Sequence, residues 1–125
     1  VVAADMNHDN HSDIIVANSG TNNVGVFFTV ENGTLVSEIM VFAGSKSHPQ
    51  HVRASDLNGD QHLDIITANT RDDSISVILG FGNGTFADPI KYPMGANSQP
   101  SWVVIDDINN DQRLDLIVAN QQQDN

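Results

Sequence analysis

The feature that most constrains this chain is an internal repeat. The strings DMNHDNHSDIIVAN, DLNGDQHLDIITAN and DINNDQRLDLIVAN begin at Asp5, Asp56 and Asp107, a constant step of 51 residues. The same step carries Asn32-Gly33-Thr34 onto Asn83-Gly84-Thr85, Gly44 onto Gly95 and Pro49 onto Pro100, so the period belongs to the whole unit. Self-similarity on this scale marks arrays whose units cannot bury an apolar face alone and stack to share a core. Residues 1–51 make one repeat, 52–102 a second and 103–125 the first half of a third, about two and a half units in all.

Within a unit the pattern is that of strands. Residues 13–18 and 64–69 are short β-branched runs, apolar on both alternating faces, which predicts strands covered on both sides. The next run puts Val24, Val26, Phe28 and Val30 on one face, matched by Ile75, Val77, Leu79 and Phe81 one repeat later. Asn32-Gly33 and Asn83-Gly84 then predict hairpin turns, since both residue types tolerate positive φ. A fourth strand follows over 36–42 and 87–92, and a Gly/Ser/Pro-rich connection leads into the next unit. No window carries a convincing helical period. The expected fold class is all-β, with tandem four-stranded antiparallel blades of a β-propeller-type array, because a unit of about 40 to 50 residues has the size of one blade.

Charge narrows the function. The chain carries 16 acidic residues against five Lys and Arg, a net charge of −11, which argues against nucleic-acid backbones and anionic membrane surfaces as partners. Nine of the acids fall in the loops that open the repeats, each reading D-x-N-x-D-x-x-x-D, with oxygen side chains at loop positions 1, 3, 5 and 9. A hard cation such as Ca2+ takes six to eight oxygens, and alternate residues of a tightly wound loop can wrap it. The expected side-chain ligands are Asp5, Asn7, Asp9 and Asp13, then Asp56, Asn58, Asp60 and Asp64, then Asp107, Asn109, Asp111 and Asp115. Position 7, occupied by His11, His62 and Arg113, would offer its backbone carbonyl, giving about one Ca2+ per repeat.

Asp and Asn also form turns without any ion. Turn chemistry alone does not call for three carboxylates in each of three phased loops, whose mutual repulsion a cation would relieve. An EF-hand shares positions 1, 3 and 5, but its position-12 Glu would be Val16, Thr67 or Val118, and strand-forming residues follow where a helix should leave the loop.

The other polar residues say less. His8, His48 and His51 form no ligand spacing that repeats, so the sequence gives no transition-metal site. No nucleophile elbow, phosphate loop or separate carboxylate pair is present, and the chain is not expected to be an enzyme. Asn32, Asn83 and Asn10 head N-glycosylation sequons, with Asn32 and Asn83 the better candidates because Asn10 falls inside an acidic loop. Trp102, the only tryptophan, is expected to pack between units. There is no cysteine, and no apolar stretch reaches the length needed for membrane insertion. The chain begins Val-Val, as a processed product or a part of something longer would.

The acidic loop, the I-I-V-A-N run after it and FGNGTF at residues 81–86 together resemble the FG-GAP or VCBS repeats of integrin α-subunit propellers and many secreted proteins. The resemblance covers the whole chain and implies propeller blades with Ca2+ in the acidic loops. Position 6, often Gly in such loops, is here Asn10, Gln61 and Gln112, and Gln accepts positive φ less readily, so the last two loops are expected to wind differently or bind more weakly. Two functions fit: an extracellular structural or adhesive scaffold, alone or within a larger propeller or fibre, and a lectin-like or integrin-like ligand-binding module. The near-identity of the loops favours the scaffold. The partners would be further repeats of the same polypeptide or other copies of the chain, and a glycan or matrix protein.

Overall fold

The computed structural model describes residues 1–121; the end of the third repeat, residues 122–125, lies outside the described residues. All regular structure among the described residues is β. The first sheet pairs β1 (Val2–Ala4), β2 (Asp13–Asn18), β3 (Asn23–Thr29) and β4 (Leu35–Phe42) in sequence order. The second repeats it with β5 (Pro49–Ser55), β6 (Asp64–Asn69), β7 (Ser74–Ile78) and β8 (Ile90–Pro93). A third holds β9 (Pro100–Asp106) and β10 (Asp115–Asn120). Every pairing is antiparallel, so the two four-stranded sheets are meanders of the kind that forms a propeller blade and the third is the opening pair of one. The sheets begin at Val2, Pro49 and Pro100, and the boundaries drawn after residues 51 and 102 fall inside β5 and β9. A repeat fixes a step in the sequence but not an origin.

The first strands of the sheets neighbour one another, β1 against β5 and β5 against β9. Between the first two sheets, Met6, Ile15, Val24, Val26 and Phe28 share a core with Val52, Ile65 and Ile78. Between the second and third, Leu57, Ile66, Ile75, Val77 and Leu79 pack with Val103 and Ile105. The first sheet's contributors map onto the second sheet's by the repeat step, so one interface is built twice. Full burial of each such side chain stabilises by roughly 1.5–3 kcal/mol.

The expected double-sided cover holds for β6, which is buried throughout, because among the described residues only the middle sheet has a neighbour on each side. In β2, Ile14 is exposed, and in β10, Leu116 and Ile117 are. The runs expected to continue to Val30 and Phe81 stop earlier, at Thr29 and Ile78, and Val30 and Phe81 are exposed beyond the strand ends. The fourth strand of the second unit starts at Ile90 and not at residue 87, since Asp88-Pro89 precedes it and Pro has no N–H for a ladder; only a Gly80–Phe86 bridge lies before that break. At the hairpin tips Gly33 and Gly84 take positive φ, +75° and +80°, whereas Asn32 and Asn83 do not. The two Asn residues act through their side chains, accepting the Thr34 and Thr85 N–H groups on Oδ1.

Candidate functional site

The three acidic loops join the first strand of each sheet to the second, β1 to β2, β5 to β6 and β9 to β10. All lie at the same end of their sheets. Each is wound by the same two left-handed residues, at position 4 (His8 +61°, Gly59 +80°, Asn110 +59°) and position 6 (Asn10 +66°, Gln61 +68°, Gln112 +66°). Gln at position 6 therefore winds as Asn10 does, so the expected difference in winding is absent. The position-1 carboxylate explains why. Asp5 Oδ1 accepts the Asp9 N–H and its Oδ2 the Asn10 N–H; Asp56 takes Asp60 and Gln61, and Asp107 takes Asp111 and Gln112. Two charge-assisted bonds onto the turn outweigh the roughly 1–2 kcal/mol a side chain loses in the left-handed region.

Positions 3 and 5 are tied to each other. Asn7, Asn58 and Asn109 donate from Nδ2 to Oδ2 of Asp9, Asp60 and Asp111, at 2.9 to 3.1 Å. The position-5 Oδ1 accepts the position-7 N–H of His11, His62 or Arg113. The His11 and His62 amides, ahead of the Asn contacts and the nearby imidazoles, hold the Asp9 and Asp60 carboxyls below the usual carboxylate range.

Position 9 does something the sequence did not reveal. Asp13 is fully buried, with Oδ2 accepting from Met6 N–H at 2.9 Å and Oδ1 from Thr29 N–H at 3.0 Å. Asp64 is equally buried and bonds Leu57 and Gly80 N–H in the same way, both at 2.9 Å. Each is a latch between the acidic loop and the end of the third strand. Burial pushes the Asp64 carboxyl upward; the two amides pull the other way, and the charges of Asp60 and Asp56 add to the rise. Asp115 bonds only Ile108 N–H, at 3.0 Å, among the described residues, and is half-exposed.

The donor set suits a hard cation, being carboxylate and amide oxygen at positions 1, 3, 5 and 9 on a common winding; the Oδ1 atoms of Asp5 and Asp56 each take two backbone N–H groups, whereas Oδ2 of Asp5 and Asp56 and both oxygens of Asp9 and Asp60 hold one each and keep a second lone pair. Among the described residues no group of three carboxylates or imidazoles converges as it would around a bound ion, since the side chains turn onto backbone amides. The sequon residues Asn32 and Asn83 are exposed at hairpin tips, and Asn10 is exposed within its loop.

The connection pins, the partner of Trp102 and a histidine pair across two loops escaped the sequence. Asn22 and Asp73 pin the connections between sheets, accepting the N–H of His48 and of Asn97 and Gln99 respectively. His51 stacks on Trp102 with ring centroids 3.8 Å apart, and the Arg53 guanidinium lies 5.7 Å from the indole, so Trp102 does pack between units. Burial, then the Arg53 charge, lowers the His51 pKa. His8 and His62 meet across adjacent loops, with Nε2 and Nδ1 3.1 Å apart. A phased search misses them because they hold different loop positions, 4 and 7.

Compared with known proteins, the profile of the FG-GAP-like repeat matches residues 5–67 and again 56–118, one repeat step apart. No curated protein and no solved structure matches the chain.

Proposed function

The chain belongs to the FG-GAP-like repeat family, and from that premise we propose that it is a calcium-stiffened extracellular scaffold or adhesive module. Repeats of this family are structural and binding modules, typical of extracellular and surface proteins. The observation that carries the calcium reading is the threefold recurrence of one winding and one oxygen set, with a shared set of hydrogen bonds at positions 1, 3 and 5. Asp5, Asn7, Asp9 and Asp13, with the His11 carbonyl, would hold one ion. Asp56, Asn58, Asp60 and Asp64 with His62, and Asp107, Asn109, Asp111 and Asp115 with Arg113, would hold the others. Bound calcium would neutralise carboxylates that crowd one another and brace each loop against its sheet.

The test is thermal unfolding with calcium and with EGTA. Native-state binding adds RT ln(1 + [L]/Kd), about 2.7 kcal/mol per site at a hundredfold excess over Kd. A marked fall in Tm on chelation is expected, and an unchanged melt rejects the calcium reading.

A ligand-binding role is the second reading. A polar cleft of about 360 Å3 lies at the end of the sheets opposite the acidic loops, lined by His48, Gln50, Arg71, Asp73 and Gln99 among others. The partners of a scaffold would be further repeats of the same polypeptide or other copies of the chain. Those of a binding module would be glycans or matrix proteins, and a binding screen with and without chelator separates the two. Glycans on Asn32 and Asn83 would project from the exposed hairpin tips, which lie at the same end of the sheets as the acidic loops.

A further inference from the structure

We propose that His8 and His62 form a second kind of metal site, a two-imidazole clamp for a divalent transition-metal ion that bridges the first two acidic loops. The His8 Nε2 and His62 Nδ1 atoms share a hydrogen bond at 3.1 Å, with ring centroids at 5.3 Å and planes at 70°; a bound ion takes the place of the shared proton, which passes to the other nitrogen of its ring or to water. Imidazole nitrogens bind such ions at about 2.0–2.1 Å. Two nitrogens at that range and 3.1 Å apart subtend about 95–102° at the ion, near the cis angle of the octahedral and square-planar coordination that Ni2+ and Cu2+ take. Calcium, which prefers oxygen, does not compete for this pair.

The pair is seated and not needed by the fold. His62 lies against Gly82, where an added Cβ would fall 2.2 Å from the ring nitrogen, and Gly82 is left-handed at φ +72°. The first unit has Glu31 at the corresponding place, so this socket is particular to the second. At the next pair of loops the residues equivalent to His8 and His62 are Gly59 and Arg113, and the loop there has the same winding and hydrogen bonds. His8 is exposed and His62 half-buried, so an ion can reach both, with water filling its other positions. The surrounding acidic loops draw cations toward the pair.

The repeat itself supplies substitutions that keep the winding. His8→Asn installs the residue that the third loop carries at position 110, and His62→Arg the one that it carries at 113. The experiment is calorimetric titration of the calcium-saturated 125-residue chain with Ni2+, so that the acidic loops are already occupied or blocked. One Ni2+ per chain is expected, with affinity falling at least tenfold in His8→Asn and in His62→Arg, no further loss in the double variant, and no change in His48→Ala. Added Ni2+ should also raise the Tm of the parent chain and not of His8→Asn. Ni2+ binding that is absent, or unaffected by either substitution while circular dichroism shows both variants folded, overturns the proposal. The outcome is independent of the calcium reading, which the EGTA melt decides separately.

Discussion

Asp60 and Asp64 share one loop and one charge, yet their carboxylates hold different things. Asp64 is buried and keeps two backbone N–H groups, Leu57 and Gly80, while Asp60 is exposed and holds His62 N–H and an Asn58 amide. Asp64→Ala strands two donors at about 1–3 kcal/mol each, whereas Asp60→Asn keeps an acceptor oxygen and should cost under about 1 kcal/mol through the fold. Asp115, with one amide partner among the described residues, belongs between them. Denaturant midpoints in EGTA should rank the losses Asp64→Ala, Asp115→Ala, Asp60→Asn; equal losses would show that position 9 is not a latch. At saturating calcium the ranking of Asp64→Ala over Asp60→Asn should persist. The acids themselves were legible in the sequence, as a spacing repeated three times. The latch was not, because Thr29 and Gly80 contribute only a backbone N–H, 16 residues from their aspartates, and a backbone donor leaves no mark on residue type.

At the scale of the element, strand order and turn positions could be read from the sequence, but strand ends could not. Gly33 and Gly84 show how one motif acquires two roles. Both hold a left-handed turn, so an added side chain strains each by about 1–2 kcal/mol. A Cβ on Gly33 would meet open space, whereas on Gly84 it would fall 2.9 Å from the Phe28 ring, which is 7% exposed in the core between the first two sheets. Gly84→Ala should therefore lower Tm clearly more than Gly33→Ala, by the further strain of displacing a packed aromatic, typically about 1–3 kcal/mol. Indistinguishable melts would mean that the hairpin gives way without moving Phe28. The Asn-Gly pair announced both turns; which of them leans on a neighbouring sheet depends on packing between units, which a local motif does not encode. Loop position 2 carries the same lesson. Met6 is buried between the first two sheets, Leu57 is half-buried, and the equivalent Ile108 is 62% exposed.

The whole molecule is an array whose two interfaces are unequally closed. In the second, a groove of about 340 Å3 is lined by Val77, Leu79, Ile90, Tyr92, Leu114 and Leu116, with Leu57 and Asn58 at its side. One repeat earlier the same apolar positions are Val26, Phe28, Ile39, Val41, Leu63 and Ile65, which share a core with Ile78 and Phe86. The change in cover is direct: Ile65 is 0% exposed and its equivalent Leu116 is 37%. Beside this groove β10 pairs, among the described residues, only with β9, leaving a row of backbone donors and acceptors along its other edge. An apolar groove next to a bare strand edge recruits another strand. We therefore expect the 125-residue chain, studied by itself in calcium, to self-associate in sedimentation as neighbouring copies cover the groove and edge, whether the contacts close into a ring or run on as a fibre. Leu114→Lys and Leu116→Lys should weaken that association by charging the groove, with little effect on the first interface, whose core contains neither residue. A monodisperse monomer with one cooperative unfolding transition would refute this, and would require β9 and β10 to bury Leu114 and Leu116 by folding back on the second sheet.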